Sequence, residues 1–299
     1  MDETLTYWKQ AGKIAGEARE YGKTLLKEDA NVFEIAIKIE EFIAKKGAKP
    51  GFPVQVSIND LAAHYTPFIN DTLCLKAGDL VKLDLGAHVE GHIGDTAVTV
   101  EVGTKNQTDL LKSSKEALDA AIKLAKPGTQ LWQIGEAVEQ AITKYGFKPI
   151  KNLSGHKVDR WVLHSNLSIP NFNNQDKTEL TEGIVVAIEP FSSTGDGMIR
   201  EGKPSSNYRW PGTTKMPRDT TARKILEFVK KEIGTIPFAE RHLVKLEQPT
   251  KIRWALAQLE KEGILYQYPQ LPEISKGLVS QHEHTIYIGE KPIVLTDVE

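Results

Sequence analysis

Four carboxylates stand in stretches that otherwise read as β-strands: Asp84 in GDLVKLDLG, Asp95 in GDTAVTVEV, Glu189 in EGIVVAIEP and Glu283 in HEHTIYIGE. Asp and Glu are poor strand formers and are seldom fully buried, so each of these needs a reason. One alone is as readily a solvated residue at a sheet edge. Four gathered in a partly desolvated pocket would repel one another and would have to be protonated or neutralised. Two divalent cations supply four positive charges. The single cysteine, Cys74, excludes a thiolate cluster. An oxygen-rich site with one imidazole suits Mn, Fe, Co or Zn in a paired arrangement. Two such ions about 3.5–4 Å apart can share a water and lower its pKa towards neutrality, which makes amide hydrolysis the expected reaction class.

The elements that must position these acids repeat. Helical spacing runs from about Thr4 to Leu26 and from Val32 to Lys45, then again from Thr108 to Ala125 and from Leu131 to Tyr145, with Gly47 and Gly146 as stops. Laying residues 27–50 over residues 126–149 pairs Lys27 with Lys126, Ile35 with Ile134, Glu40 with Glu139, Ile43 with Ile142, Gly47 with Gly146 and Pro50 with Pro149. Such agreement points to an internal duplication. After each helix pair come two strands, each bearing an acid, so Asp84 corresponds to Glu189 and Asp95 to Glu283. If the halves face each other, the four acids converge.

Three of the eight histidines lie in polar or turn-like stretches: His64 in AAHYTP, His156 in NLSGHKV and His164 in WVLHSN. His64 and His164 are almost one repeat apart and could flank the acids as proton donors. His156 has no counterpart in the first half and is the better ligand candidate. His88, His92 and His242 sit in turns or a charged stretch and are expected to be solvated. In QHEHT, residues 281–285, strand alternation sends His282 and His284 to one face and Glu283 to the other, so only one face can meet a metal.

Between Glu189 and Glu283 the chain reads as helical, ARKILEFVKKEIG and IRWALAQLEKEG, an inserted subdomain of about residues 205–268. The Gly195–Gly197 turn lacks the context of a phosphate loop and reads as flexible. A net charge of −2 with 26% charged residues gives no basic field for nucleic acid. The N-terminus has no apolar signal core and no window is apolar enough for a membrane span, so a cytoplasmic location is expected, and Cys74 reads as a small buried apolar residue.

Taken together, AHYTP with His64, DLGAHVEGHIGD with Asp84 and Asp95, NLSGH with His156, IEPF with Glu189 and HEHT with Glu283 resemble the methionine aminopeptidases. The order Asp, Asp, His, Glu, Glu is shared by the wider pita-bread metallopeptidase family, which includes prolidases and aminopeptidase P. The match runs from about residue 5 to 290, and the long insertion looks like the type 2 enzymes in their compact archaeal form. The resemblance implies an α+β pita-bread fold, with internally duplicated helix-helix-strand-strand halves around a curved antiparallel sheet. Residues 1–204 and 269–299 would form the catalytic domain and 205–268 the helical insertion.

It implies further that Asp84 chelates one metal, His156 and Glu189 bind the other, and Asp95 and Glu283 bridge both. Glu189 would also take a proton from the bridging water, His64 and His164 would contact the scissile amide, and the methionine side chain would lie near Phe52, Pro53, Leu163 and Tyr268. The implied activity is removal of initiator methionine when the next residue is small, with two divalent ions (Co, Mn, Fe or Zn) as cofactors. The implied partners are methionyl peptides, nascent chains and the ribosome, the enzyme being a monomer with no membrane or specific nucleic-acid ligand. Two rivals share the scaffold: an Xaa-Pro hydrolase, whose relatives usually carry a separate N-terminal domain, and a non-catalytic pita-bread binding protein.

Overall fold

The computed structural model describes residues 3 to 298. The first half opens with helices α1 (Glu3–Leu25) and α2 (Val32–Lys45). Asn31 caps α2 by accepting from the N–H groups of Phe33 and Glu34, and Gly47, at φ 82°, supplies the left-handed residue that ends it. Strands β1 (Lys49–Ile58), β2 (Leu61–Ala63), β3 (Leu80–Val89) and β4 (His92–Glu101) follow, with β3 paired antiparallel between β1 and β4.

The second half repeats this plan with α3 (Thr108–Leu124), α4 (Leu131–Thr143), β5 (Ser154–Val158), β6 (Val185–Ile188) and β7 (Phe191–Ser193). A unit of β8 (Pro204–Arg209), α5 (Thr220–Phe228), β9 (Phe238–Ala239), α6 (Pro249–Lys261) and β10 (Tyr266–Pro269) comes next. The chain then returns as β11 (Val279–Gln281), on β7, and β12 (His284–Tyr287). Strand β6 lies between β5 and β12 as β3 lies between β1 and β4. This is the duplicated α+β arrangement that the repeated pattern predicts.

Period-two alternation decides what each face carries. Val81, Leu83 and Leu85 of β3 enter a core with Ile35, Ile39 and Ile43 of α2, while Val186, Ile188 and Ile286 pack with Ile134, Val138 and Ile142 of α4. Asp84 and Gly86, and in the other half Ala187 and Glu283, therefore face away from the helices. The halves join where the backbones of Ala97 and Glu283 bridge, and threonines seal the seam: Thr96 Oγ1 donates to the Glu283 carbonyl at 2.8 Å and Thr285 Oγ1 to that of Asp95 at 2.7 Å.

Four expectations are corrected. His88 and His92 are buried rather than solvated, because the β3–β4 turn is confined to Glu90 and Gly91, both at positive φ, and the histidines belong to the strands. His92 stacks on Tyr7 and His88 packs on Trp161. His242 is half-buried and its Nε2 lies 3.1 Å from Glu40. The Gly195–Gly197 turn is not a free loop, since the buried Glu273 carboxylate accepts from the N–H groups of Asp196 and Gly197 and from Ser275 and Gly277. Cys74 is only half-buried.

The unit from β8 to β10 has an apolar cluster of its own, including Ile225, Leu226, Phe238, Ile252, Leu256 and Leu259. Buried ions fasten it to the rest. Arg241 pairs with Glu40 of α2 at 2.5 Å and donates to Thr66 Oγ1 and the Pro67 carbonyl. Burial alone would raise the Glu40 carboxyl, but Arg241 and His242 outweigh it and hold the group well below the usual range. Arg241→Ala strands a buried carboxylate, and such losses cost about 3–5 kcal/mol. Its contribution is present above the unfolded value of 4.5 and is lost as pH falls towards the depressed folded value. Denaturant unfolding should therefore find Arg241→Ala much weaker than the parent at pH 7, with the gap narrowing on acidification.

Candidate active site

Strand register assembles the site. Gln55 lies opposite Asp84, Asp84 opposite Ala97, and Ala97 opposite Glu283, so all four share one face. Asp95 shares it from two positions before Ala97. In the other half His284 pairs with Ile188, which brings Glu189, the next residue, opposite Glu283, and His156 pairs with Ala187. Asp84, Asp95, His156, Glu189 and Glu283 all line one cavity of about 300 Å³.

The electrostatics are those of like charges sharing a site. Burial raises the carboxyl groups of Asp84, Glu189 and Glu283 well above the ordinary range, and their mutual repulsion, with Asp95 in each case, raises them further. Asp95 is raised by burial and partly relieved by His156. His156 Nε2 lies 3.5 Å from Asp95 and 3.6 Å from Glu189. Ligand atoms of Asp95, His156 and Glu283 all fall within 4.8 Å of one another. One oxygen each of Asp84 and Asp95, and Nδ1 of His156, are buried with no hydrogen-bond partner. Unsatisfied buried acceptors around converging carboxylates fit a divalent cation, and the oxygen and nitrogen donor set suits Mn, Fe, Co or Zn.

His64 and His164 both line the cavity. The His164 ring centroid is 4.3 Å from that of His156, and Tyr268 stands beside both His64 and His164, at 5.3 and 6.2 Å. His64 has φ 72°, a left-handed conformation held by its N–H, which donates to Gln55 Oε1 at 2.7 Å. Its Nδ1 lies 3.0 Å from the Pro269 carbonyl. A carbonyl only accepts, so Nδ1 carries the proton and Nε2 presents a lone pair. The expected proton donor is thus an acceptor in its neutral form, and burial lowers its pKa to about 4.

Phe52, Leu163 and Tyr268 line the cavity, and Gly86 makes room for Phe52, since a Cβ there would lie 2.6 Å from the ring. Pro53 is buried in the same strand but is not one of the lining residues. Between Phe52 and Gln55 the register slips by a bulge, which turns Phe52 and Gln55 to the cavity and leaves Val54 in the core. In QHEHT, Glu283 lines the cavity and the two histidines do not. His282 bonds through Nδ1 to Ser114 Oγ at 2.8 Å, and His284 through Nδ1 to Thr296 Oγ1 at 2.8 Å.

Four lining or supporting amides were not legible as site residues: Gln55, Asn152, Gln281 and Asn207. Gln281 reaches Glu189 and Glu283 with Nε2, at 3.3 and 3.4 Å. Its place two residues before Glu283 was a signal, because i and i+2 of a strand share a face. Asn207 comes from β8, and no local pattern in its stretch sets it apart.

Residues 7–231 match the model of metallopeptidase family M24. The chain is 45% identical to a methionine aminopeptidase of Pyrococcus abyssi over 288 residues, covering 96% of this chain and 97% of that one. Its fold is similar to a thermophilic Arx1, with TM-score 0.87, 19% identity and 99% and 91% of the two chains covered. It is also similar to the methionine aminopeptidase of Thermotoga maritima, with TM-score 0.72, 22% identity and 100% and 98% covered.

Proposed function

Because the chain belongs to metallopeptidase family M24, we propose that it is a dinuclear methionine aminopeptidase that removes initiator methionine from nascent chains when the second residue is small. The observation that carries this is the set of converging ligand atoms of Asp95, His156 and Glu283, with orphaned carboxylate oxygens on Asp84 and Asp95 beside them. Asp84 would hold one ion, His156 and Glu189 the other, and Asp95 and Glu283 both. Bound there, the ions supply Lewis acidity and a lowered water pKa.

The chain's own residues do the rest. Glu189, steadied by Gln281, would take the proton of the attacking water and deliver it to the departing amine. His64 would accept a hydrogen bond at Nε2 from the substrate, its ring fixed by the Pro269 carbonyl, and His164 would border the same amide from the exposed side. Phe52, Leu163 and Tyr268 would receive the methionine side chain.

Residues 205–268, with their own apolar cluster, form an inserted subdomain that supplies one wall of the site. Among the described residues no helix is long and apolar enough to cross a membrane; the enzyme would act as a cytoplasmic monomer on methionyl peptides, with nascent chains at the ribosome as its natural source. Turnover of Met-Ala-Ser, lost on chelation and restored by Mn, Fe, Co or Zn, is the expected result. Cleavage of Xaa-Pro peptides with none of Met-Ala-Ser would replace this reading with the prolidase one, and inertness towards both would leave a binding protein.

A further inference from the structure

One wall of the cavity carries a polar group that the proposed chemistry does not use. Asn207 is 3% exposed, lines the cavity, and has a side-chain oxygen that is buried with no hydrogen-bond partner. Strand β8 pairs Asn207 with Ala239 of β9 on one side and Tyr208 with Gln267 of β10 on the other, with a register shift between Pro204 and Tyr208. Asn207, Tyr268 and, two residues before Ala239, Pro237 all line the cavity and make up the wall that this unit contributes. The ring of Tyr268 and that of Pro237 are apolar contacts. Asn207 alone offers an amide.

An unpaired buried amide is unfavourable, and a wall built only to receive a hydrocarbon chain would be better served by leucine, which has nearly the same shape. A side-chain amide can turn to present either its N–H groups or its oxygen. We propose that Asn207 is a specificity-determining residue, which hydrogen-bonds the heteroatom of the substrate's first side chain and so extends the substrate class to polar isosteres of methionine, methionine sulfoxide above all. This rests on the reading of the site as a methionine aminopeptidase. The thioether sulfur of methionine is a weak acceptor, whereas the sulfoxide oxygen is a strong one, and norleucine offers none. A pocket with a paired amide therefore ranks these three side chains differently from an apolar pocket of equal volume.

The test compares kcat/KM for Met-Ala-Ser, Met-sulfoxide-Ala-Ser and norleucine-Ala-Ser in the metal-loaded parent and in Asn207→Leu and Asn207→Ala. Ratios within one preparation are unaffected by the fraction of protein that folds. In the parent, the sulfoxide peptide should be cleaved at a measurable rate and norleucine more slowly than methionine. Asn207→Leu should raise the methionine-to-sulfoxide ratio about tenfold, the order of one hydrogen bond, and bring norleucine level with methionine. Asn207→Ala should move both ratios in the same direction. If either variant changes all three substrates by a common factor, or the parent does not cleave the sulfoxide peptide at all, Asn207 is only part of the wall and the inference is overturned. Failure of the parent on Met-Ala-Ser itself would instead remove the underlying reading.

Discussion

Glu283→Ala should lose its metal and with it about a thousandfold or more of Met-Ala-Ser turnover, the rate equivalent of about 4 kcal/mol in the transition state. Glu283 is the point at which the two sheets meet, bridging Ala97 in one half and standing opposite Glu189 in the other, and it shares its converging atoms with Asp95 and His156. No neighbouring residue can take over that position, since His282 and His284 point through the strand to the other side.

The same substitution should have the opposite sign in the chelated protein. There the raised carboxyl groups of Asp84, Glu189 and Glu283 store repulsion. Groups whose folded pKa is raised contribute most below their unfolded values of 3.8–4.5 and lose that contribution as pH climbs through the folded values. Chelated parent should therefore melt lower at pH 8 than at pH 5. Removing one acid should flatten that slope and raise the melting temperature at pH 8 by about 2 °C or more. Metal analysis and melting curves of both proteins check the pair of expectations. Stoichiometric metal in Glu283→Ala, or a chelated variant that melts below its parent at pH 8, would count against the assignment.

What could be seen in the chain before its fold is tied to periodicity. The α2 and α4 boundaries, the strand acids and the duplication all follow from repeats of 3.6 or 2 residues, and the register then leaves little freedom: one pairing of Asp84 with Ala97 fixes the face on which Glu283 and Glu189 must appear. Glu283 could be told from its histidine neighbours by parity alone. Features set by single contacts were out of reach. A two-residue turn carried His88 and His92 into the strands, a bulge turned Pro53 away while keeping Phe52 and Gln55 on the cavity, and the Gly195–Gly197 turn is fixed by a carboxylate almost eighty residues away. Gln55 shows the same gap, for its role depends on the unusual backbone of His64, which no side-chain pattern announces.

His64 carries the second large effect. His64→Ala should keep its metal and lose about 10²–10³ in kcat with little change in KM, as expected for a group that works on a proton in the transition state. The burial that lowers its pKa to about 4 keeps the ring neutral across the range in which the enzyme would operate, and the Pro269 carbonyl fixes the proton on Nδ1. A lone pair is thus always available at Nε2, so no rate limb from His64 should appear between pH 5 and 8; its protonation should inactivate only near pH 4. Stability follows the same group. A histidine whose folded pKa is depressed favours the folded state fully above its unfolded value of 6.5 and loses that advantage as pH falls towards about 4. His64→Ala should accordingly lose less stability than its parent on titration from 6.5 to 4. The kinetic and the thermodynamic readings are independent, because the variant's missing proton acceptor governs one and its missing buried imidazole the other. A His64→Ala protein with unchanged kcat would transfer the proton-handling role to His164. A normal rate loss with an unaltered pH dependence of stability would mean that the ring is solvated in the working enzyme.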